Sequence, residues 1–319
     1  MMHYIRDGIM GLAVADALGV PVEFRSRREL KADPVTDMRG YGTYNQPKGT
    51  WSDDTSMTLC VADSLANGLD YADMMERFRR WANEGEYTPL GQAFDIGGAT
   101  SRAVSRYCCG TDPLCCGGCK EQDCGNGPLM RALPVAFYLY AKYGTDIFSE
   151  VCMDIVHQAS SLTHSHPRCH IACGIYTHAA VRLISGDSLS DAIRQATVQA
   201  AAYYARSAAH KEELYCFSRL MDDGFGALTE DDIKSSGYVA DTLEAAFWCL
   251  LTTAAYTECV LKAVNLGEDT DTVSAVAGGL AGLYYRESGI PREWLDALQN
   301  RAMIDGVCAR LRDGLEHIE

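Results

Sequence analysis

Apolar residues recur at the helical spacing i, i+3, i+4, i+7 through most of this sequence, and no other feature constrains its fold as strongly. Alternating β-branched runs bounded by turns, which are typical of strands, are nearly absent. The sequence therefore predicts an all-α fold, a bundle of about ten helices. The segments with the helical spacing are 5–18, 54–67, 71–83, 92–107, 129–143, 147–160, 168–185, 189–206, 240–255, 257–265 and 272–286.

The chain shows no internal boundary that would separate two domains. Its 319 residues exceed the size of a typical domain. However, no linker rich in Pro, Gly or Ser, no shift in composition and no internal repeat divides them. We therefore expect one large helical domain over residues 1–319, with irregular structure at 20–52, 108–128 and 221–238.

Charge and composition argue against several classes of partner. A formal net charge of −15 argues against nucleic acid, whose phosphates are bound by clustered Lys and Arg. No apolar stretch reaches the roughly 18 residues of a membrane span, and Arg6 and Asp7 lie within the N-terminal helical pattern, so we expect neither a membrane partner nor a signal peptide. Fourteen cysteines without a secretory signal indicate reduced thiols and a cytoplasmic protein.

Two adjacent carboxylates stand at the start of the second predicted helix, in the segment GTWSDDTSM. Asp53 and Asp54 follow Ser52, and no Lys or Arg occurs between Lys48 and Arg77. One interpretation is that Ser52 caps the helix while the two acids interact favourably with its dipole. Nothing in the segment itself neutralises the two charges.

A second acidic segment, NLGEDTDT, leads into the predicted helix 272–286 and also has no Lys or Arg beside it. That helix is almost wholly apolar and carries Gly278, Gly279 and Gly282, so we expect it to be buried in close contact with another helix. Burying carboxylates without cations raises their pKa values steeply or costs several kcal/mol each. A divalent metal would resolve the problem, because hard ions such as Mg²⁺ prefer oxygen ligands. If the two segments meet, they could hold two ions bridged by a shared carboxylate.

GTWSDDTSM together with GEDTDTVSAVAGGLAG strongly resembles the ADP-ribosylglycohydrolase family, which includes dinitrogenase reductase-activating glycohydrolases and ADP-ribosylhydrolases. In that family a Thr/Ser-Asp-Asp segment and an Asp-x-Asp-Thr segment bind two Mg²⁺ or Mn²⁺ ions. Ser52 stands where many members have Thr, and its hydroxyl is retained. The metal ligands that the resemblance implies are Ser52, Asp53, Asp54, Asp269, Asp271 and Thr272.

Four further motifs occur in the order that the family has them: GLAVADALGVPVEF, DIGGATSRA, GNGPLMRALPVAF and THSHP. Ala15 departs from the family pattern, which usually has Gly there, and Glu23 stands at the position of a glutamate near the metals. The resemblance implies a single large orthogonal helical bundle of the ADP-ribosylglycohydrolase type. The substrate-binding residues that it implies are Asp95, Gly97, Thr100, Gly125, Asn126, Gly127 and His164.

Taken alone, two of these motifs also have ordinary interpretations. The glycines of GNGPLMR could merely form a tight turn into a helix, or they could let backbone N–H groups approach an anion; the resemblance implies a loop that holds the diphosphate of ADP-ribose. The histidine-rich THSHPRCH, with Cys169 and Cys173 close by, could suggest zinc or simply form the first turn of a helix. The resemblance implies that His164 contacts the ligand.

A cysteine cluster precedes the glycine-rich loop, in RYCCGTDPLCCGGCKEQDCGNG. The spacing of Cys115, Cys116, Cys119 and Cys124 could close a structural Zn²⁺ site. Reduced thiols and redox pairing are the alternatives, because no second C-x-x-C accompanies the first.

These observations lead to the hypothesis of a metal-dependent hydrolase that cleaves the glycosidic bond between ADP-ribose and an acceptor and releases ADP-ribose. Asp53, Asp54 or Glu23 would accept a proton from water. Arginine on a protein is the favoured acceptor because of the resemblance; serine and small-molecule conjugates stay open, as does the choice between Mg²⁺ and Mn²⁺. The alternatives are a non-catalytic ADP-ribose-binding protein and a dinuclear hydrolase of nucleotide diphosphates.

Overall fold

Helices form the regular structure of residues 2–318, the part of the chain that this computed structural model describes. Within that part no strand ladder forms, only three isolated bridges, so the all-α prediction is confirmed. The helices are α1 His3–Gly19, α2 Arg27–Ala32, α3 Asp53–Leu65, α4 Tyr71–Glu84, α5 Gly98–Cys108, α6 Gly127–Met130, α7 Leu133–Tyr143, α8 Glu150–Ser161, α9 Pro167–Ile184, α10 Leu189–Tyr204, α11 Ala208–Lys211, α12 Val239–Leu251, α13 Tyr256–Asn265, α14 Thr270–Tyr285, α15 Arg292–Ala297 and α16 Arg301–Glu316.

The centre of the bundle is the pair α1 and α14, which pack against each other more extensively than any other two helices. A Cβ atom added at Gly11 would lie 2.4 Å from the carbonyl oxygen of Gly278 and 2.8 Å from Cα of Gly282. The Ser274 hydroxyl donates to the carbonyl of Ala15 across the same contact, at 2.7 Å. The close contact expected from the glycines of α14 is therefore present, and it aligns the end of α1 with the start of α14.

The C-terminal helices belong to the same packed core. Helix α16 packs against α3 and α1. It buries an apolar face at the helical spacing, formed by Ile304, Val307, Cys308, Leu311 and Leu315. None of the helices in residues 2–318 is both long and apolar enough to cross a bilayer.

Each of the predicted helices is present, and the two largest differences in their limits have local reasons. The segment 92–97 is irregular, so that α5 begins at Gly98 instead of residue 92. The predicted helix 129–143 is divided into α6 and α7, because Pro134 lies in the first turn of α7, where it has no N–H to continue the preceding helix.

Candidate active site

Three helix ends converge at one place: the end of α1, the start of α3 and the start of α14. Gly19 permits this, because a Cβ atom there would lie 2.3 Å from Cα of Asp271. The Thr270 hydroxyl donates to the carbonyl of Gly19 at 2.9 Å. Thr272 Oγ1 donates to Asp54 Oδ2 at 3.3 Å, although the two residues are 218 positions apart. The two acidic segments singled out in the sequence therefore meet in space.

The carboxylates at this junction form two groups of three. One group is Asp16, Asp54 and Asp271, and the other is Glu23, Asp269 and Asp271. In each group one oxygen from every residue lies within 4.8 Å of the other two. Because Asp271 belongs to both groups, the arrangement offers two neighbouring cation positions with a shared carboxylate.

Four of these carboxylates each have a buried oxygen without a hydrogen-bond partner: Glu23 Oε2, Asp54 Oδ1, Asp269 Oδ1 and Asp271 Oδ2. Within residues 2–318, the salt bridges of Lys, Arg and His involve none of them. Burial raises the pKa of Glu23 to about 9, with repulsion from Asp95 as the next cause. Burial likewise raises the pKa values of Asp54 and Asp271 well above the usual range. The candidate ligand atoms of both groups are carboxylate oxygens, which fits hard divalent cations.

Asp16 is a member of the first group that the sequence did not single out. Its carboxylate accepts hydrogen bonds from the backbone N–H of Ser52 at 3.0 Å and of Thr55 at 3.1 Å, and from the Thr55 hydroxyl at 2.6 Å. Burial raises the pKa of Asp16 to about 6, while the bonds from Thr55 and Ser52 lower it. Since its oxygens are already hydrogen-bonded, Asp16 mainly fixes the start of α3 and so positions Asp54.

The remaining predicted metal ligands have other contacts. Ser52 caps α3 by accepting from Asp54 N–H, and its hydroxyl donates to Asp54 Oδ2 at 3.0 Å. Asp53 is buried but belongs to neither carboxylate group. Burial raises its pKa well above the usual range, with Asp95 and Asp54 as the next causes. Asp53 instead lies on the wall of an adjoining cavity.

That cavity has a volume of about 400 Å³, within the range of small-molecule sites. Glu23, Asp53, Asp269 and Thr272 form its carboxylate side. Arg102 also lines it and pairs with Asp123 at 2.8 Å; the arginine belongs to the DIGGATSRA motif but was not identified as a site residue. All of the substrate-binding residues expected from the sequence line the cavity, namely Asp95, Gly97, Thr100, Gly125, Asn126, Gly127 and His164.

The glycine-rich loop is tied directly to the acidic junction. Asn126 Nδ2 donates to Asp269 Oδ2 and to Thr242 Oγ1, both at 2.9 Å. A Cβ atom at Gly127 would lie 2.9 Å from Cε1 of His164, so a larger residue would displace the imidazole. The loop therefore presents its backbone to the cavity at a fixed distance from the carboxylates.

His164 is held as a neutral imidazole. Burial lowers its pKa to about 3, and the nearby Arg131 charge lowers it further. Thr163 Oγ1 lies 2.7 Å from His164 Nδ1 and accepts from Arg131 at 2.7 Å. The hydroxyl proton of Thr163 is then free to point at Nδ1, which leaves the ring proton on Nε2. Arg131 itself is buried and donates to the Ala159 carbonyl at 2.9 Å, so it supports His164 from behind instead of facing the cavity.

Strained backbone holds Glu23 beside Asp269. Phe24 and Glu268 have positive φ angles of 65° and 63°, which for residues other than glycine cost on the order of 1–3 kcal/mol. Their segments exchange backbone hydrogen bonds, from Phe24 N–H to the Glu268 carbonyl at 2.7 Å and from Glu268 N–H to the Arg25 carbonyl at 2.8 Å. Asp95, with φ of 56°, accepts from the Tyr44 hydroxyl at 2.5 Å.

The cysteine cluster does not form the zinc site considered from its spacing. Cys116 and Cys124 are buried, whereas Cys115 and Cys119 are exposed. Among residues 2–318, no group of three close metal-ligating atoms includes a cysteine. The Cys116 thiol lies 3.3 Å from the carbonyl of Asp112 and is used as a weak donor within its own loop. The four sulfur atoms therefore do not converge on one point, as tetrahedral zinc requires.

Comparison with known proteins gives consistent matches along the chain. The family model described as ADP-ribosylglycohydrolase matches residues 3–317. An ADP-ribosylarginine hydrolase Tri1 of Serratia proteamaculans is 32% identical over 309 residues, which cover 96% of this chain and 78% of the relative. An ADP-ribosyl-[dinitrogen reductase] glycohydrolase of Rhodospirillum rubrum is 31% identical over 91% of this chain and 88% of its own length. A solved structure titled ADP-ribosylglycohydrolase-related protein complex superposes with a TM-score of 0.78 at 32% identity and covers 98% of both chains.

Proposed function

Because the chain belongs to the ADP-ribosylglycohydrolase family, we propose that it hydrolyses the bond between the distal ribose of ADP-ribose and an arginine side chain of a modified protein. One observation carries the proposal: two carboxylate groups with unpartnered oxygens open into a cavity lined by the glycine-rich loop and His164. The relative from Serratia is named for ADP-ribosylarginine, which favours arginine as the acceptor.

We propose that the two carboxylate groups hold two divalent cations, Mg²⁺ or Mn²⁺, and share Asp271. The donors fit such ions because they are carboxylate and hydroxyl oxygens, and four of the oxygens have no other partner. Ser52, Asp53 and Thr272 are further candidate ligands from the sequence that lie beside these groups. When bound, the cations would neutralise the buried charge and favour ionisation of water near the ribose.

The protein's own residues would position the substrate and move the proton. Glu23 and Asp53 both line the cavity, whereas Asp54 is fully buried and does not line it. This difference favours Glu23 or Asp53 over Asp54 as the group that accepts a proton from water.

Other residues of the cavity suit the diphosphate of ADP-ribose and the guanidinium group of the acceptor. Gly125, Gly127 and His164 present small backbone surfaces and a ring N–H where the anionic diphosphate would lie. Arg102 adds a positive charge on the same wall. With a net charge of −15, the molecule has to hold an anion through such local groups. A guanidinium acceptor would be attracted to the acidic side formed by Asp53 and Asp95.

The test is a panel of mono-ADP-ribosylated substrates, carrying the modification on arginine, on serine or as O-acetyl-ADP-ribose. Purified protein is treated with EDTA, reloaded with Mg²⁺ or Mn²⁺, and the products are separated by chromatography. We expect intact ADP-ribose from the arginine substrate, loss of release in EDTA and recovery with either metal. Release from serine alone would refute the acceptor, AMP as product would indicate cleavage of the diphosphate, and binding without turnover would indicate a non-catalytic protein.

A further inference from the structure

The cavity beside the acidic junction has an exposed aromatic side chain on its wall, that of Phe24. Among residues 2–318, no other Phe, Tyr or Trp lines this cavity. Phe24 is 69% exposed, so the fold itself gains little from burying its ring. Single exposed apolar residues are common on protein surfaces. The exposure of Phe24 is informative only together with its backbone conformation and its neighbours.

The backbone at Phe24 has a conformation that a phenylalanine rarely adopts. Its φ is 65°, an angle that Gly and Asn reach at lower cost. In this conformation the Phe24 N–H donates to the Glu268 carbonyl at 2.7 Å, which holds the preceding Glu23 close to Asp269. Gly or Asn would serve that purpose with less strain, so a phenylalanine ring here favours a role in contact with a ligand.

Phe24 lies on the carboxylate side of the cavity, because it directly follows Glu23 in the chain. In ADP-ribose the diphosphate separates the adenosine from the distal ribose. With the distal ribose at the carboxylates and the diphosphate at Gly125 and Gly127, the adenine would lie beyond the glycine-rich loop. The part of the substrate that meets the ring of Phe24 would then be the acceptor on the distal ribose.

An aromatic ring close to a carboxylate suits a guanidinium group, which stacks on aromatic faces and pairs with carboxylates. The carboxylate is that of Asp95, which lines the same cavity. It lies close enough to Glu23 to help raise the pKa of that residue. Asp95 belongs to neither of the two carboxylate groups, so it is available to pair with a guanidinium. A neutral acceptor, such as an acetyl ester, would gain much less from these two residues.

We propose that Phe24 selects arginine as the acceptor by stacking its ring on the guanidinium group of ADP-ribosylarginine, while Asp95 accepts hydrogen bonds from the same group. The proposal rests on the proposed hydrolase function and adds to it a residue that distinguishes acceptors. A guanidinium group in contact with a partly exposed aromatic ring changes affinity by about 3–10-fold.

Kinetics with free ADP-ribosylarginine and equilibrium binding of ADP-ribose, both at saturating Mg²⁺, provide the test. Phe24→Asn removes the ring and keeps a residue that tolerates the positive φ. We expect this variant to raise KM for ADP-ribosylarginine about 3–10-fold at nearly constant kcat. Its Kd for ADP-ribose, which has no acceptor, should stay within about twofold of the parent value. Phe24→Trp should retain the parent KM, since tryptophan also offers an aromatic face.

Tyr41→Asn is the matched control for the loss of an exposed ring. Tyr41 also has a positive φ, of 66°, and is 63% exposed, but it does not line the cavity. Its replacement should leave KM for ADP-ribosylarginine unchanged. Urea unfolding should show Phe24→Asn to be at least as stable as the parent, because the lost ring is exposed and its backbone strained. Lower stability in Phe24→Asn would indicate a packing role for the ring and would count against the proposal.

The remaining outcomes separate this proposal from the hydrolase function. A parent-like KM in Phe24→Asn would overturn the role of Phe24 alone. Weaker binding of ADP-ribose would also overturn it, because the ring would then contact the adenosine or the ribose. The same holds for a fall in kcat without a rise in KM, since Phe24 would then act only by holding Glu23. If the parent protein released no ADP-ribose from ADP-ribosylarginine, both the hydrolase function and the role of Phe24 would be refuted.

Discussion

Asp271 is the residue on which both proposed cation positions depend, because it belongs to both carboxylate groups and one of its oxygens has no partner. Replacing even an outer hydrogen-bond partner of a metal ligand typically costs 10–100-fold in activity or metal affinity. We therefore expect Asp271→Asn to lower kcat/KM by at least about 100-fold. Product release at saturating Mg²⁺ measures the effect, and Asp146→Asn, an exposed carboxylate, is the matched control.

The same substitution should change stability in opposite directions with and without metal. In EDTA, Asp271→Asn removes the cost of burying an ionisable carboxyl group among other acids without a cation, and it should stabilise the protein by about 1–3 kcal/mol. In Mg²⁺ it should lose the stabilisation that the ion gives the parent, about 2.7 kcal/mol at a concentration of 100 Kd. Urea unfolding in both buffers separates the two effects. A variant that is less stable in both buffers would show that Asp271 is a structural group and not a ligand.

We expect Asp16 to act by positioning the start of α3, because its carboxylate accepts hydrogen bonds from three donors there. Asp16→Asn places an amide N–H group against backbone donors, which should cost about 1–3 kcal/mol of stability and weaken Mg²⁺ binding about 10–100-fold. Thr55→Val removes only the hydroxyl donor and should have a smaller effect. Isothermal titration with Mg²⁺ and urea unfolding test both variants; unchanged metal affinity in Asp16→Asn would refute the positioning role.

At the scale of single residues, the sequence singled out most of the residues that lie together at the acidic junction and the cavity, but not the contacts between them. The two acidic segments could be singled out because they lack nearby cations, and the cavity residues because their motifs resemble those of the family. The separation of Asp53 from the carboxylate groups could not be predicted, because it depends on which way two adjacent side chains point.

At the scale of helices, the crossing of α1 and α14 depends on residues without side chains. Alanine normally stabilises a helix by about 1 kcal/mol relative to glycine. Gly11→Ala should do the opposite and destabilise the protein by several kcal/mol, because the new methyl group meets the backbone of α14 at 2.4 Å. Gly306→Ala in α16 is the control: its nearest atom is the end of the Arg310 side chain at 3.5 Å, so it should stabilise slightly. Equal shifts in the unfolding free energy of both variants would contradict the proposed packing.

The junction of α1, α3 and α14 should also give the metal-free protein a characteristic pH dependence. The pKa of Asp16 is raised to about 6 and that of Glu23 to about 9, mainly by burial. Acids with raised pKa values keep their protons in the folded state, so their contribution to stability is complete below the unfolded pKa and is lost as pH rises through the folded pKa. In EDTA, stability should therefore fall between about pH 4 and pH 9, and saturating Mg²⁺ should largely remove that fall. Urea unfolding across this range measures it, and a flat profile in EDTA would count against charge burial at the junction.

The helices were predictable where apolar spacing decides the structure, and less so where tertiary contacts do. Helix α16 was not predicted although its apolar spacing is clear, so the information was present in the sequence. In contrast, the irregular segment before α5 is set by the positive φ of Asp95 and its contact with Tyr44, two residues that are distant in sequence. The same holds for the pairing of Phe24 with Glu268. Propensity alone indicates none of these contacts.

At the scale of the whole molecule, we infer that residues 1–319 form one cooperative unit. Helix α1 packs against both α14 and α16, so the two ends of the chain stabilise each other. Tryptophan fluorescence reports on unfolding in several parts of the core, because the four buried tryptophans lie far apart in the sequence. They are Trp51, Trp81, Trp248 and Trp294. A single domain predicts that thermal unfolding followed by tryptophan fluorescence coincides with unfolding followed by far-ultraviolet circular dichroism. Mg²⁺ should shift both curves by the same amount, because loss of the metal site would accompany loss of the whole core. Two separated transitions, with only one moved by Mg²⁺, would show that part of the chain unfolds independently of the acidic junction.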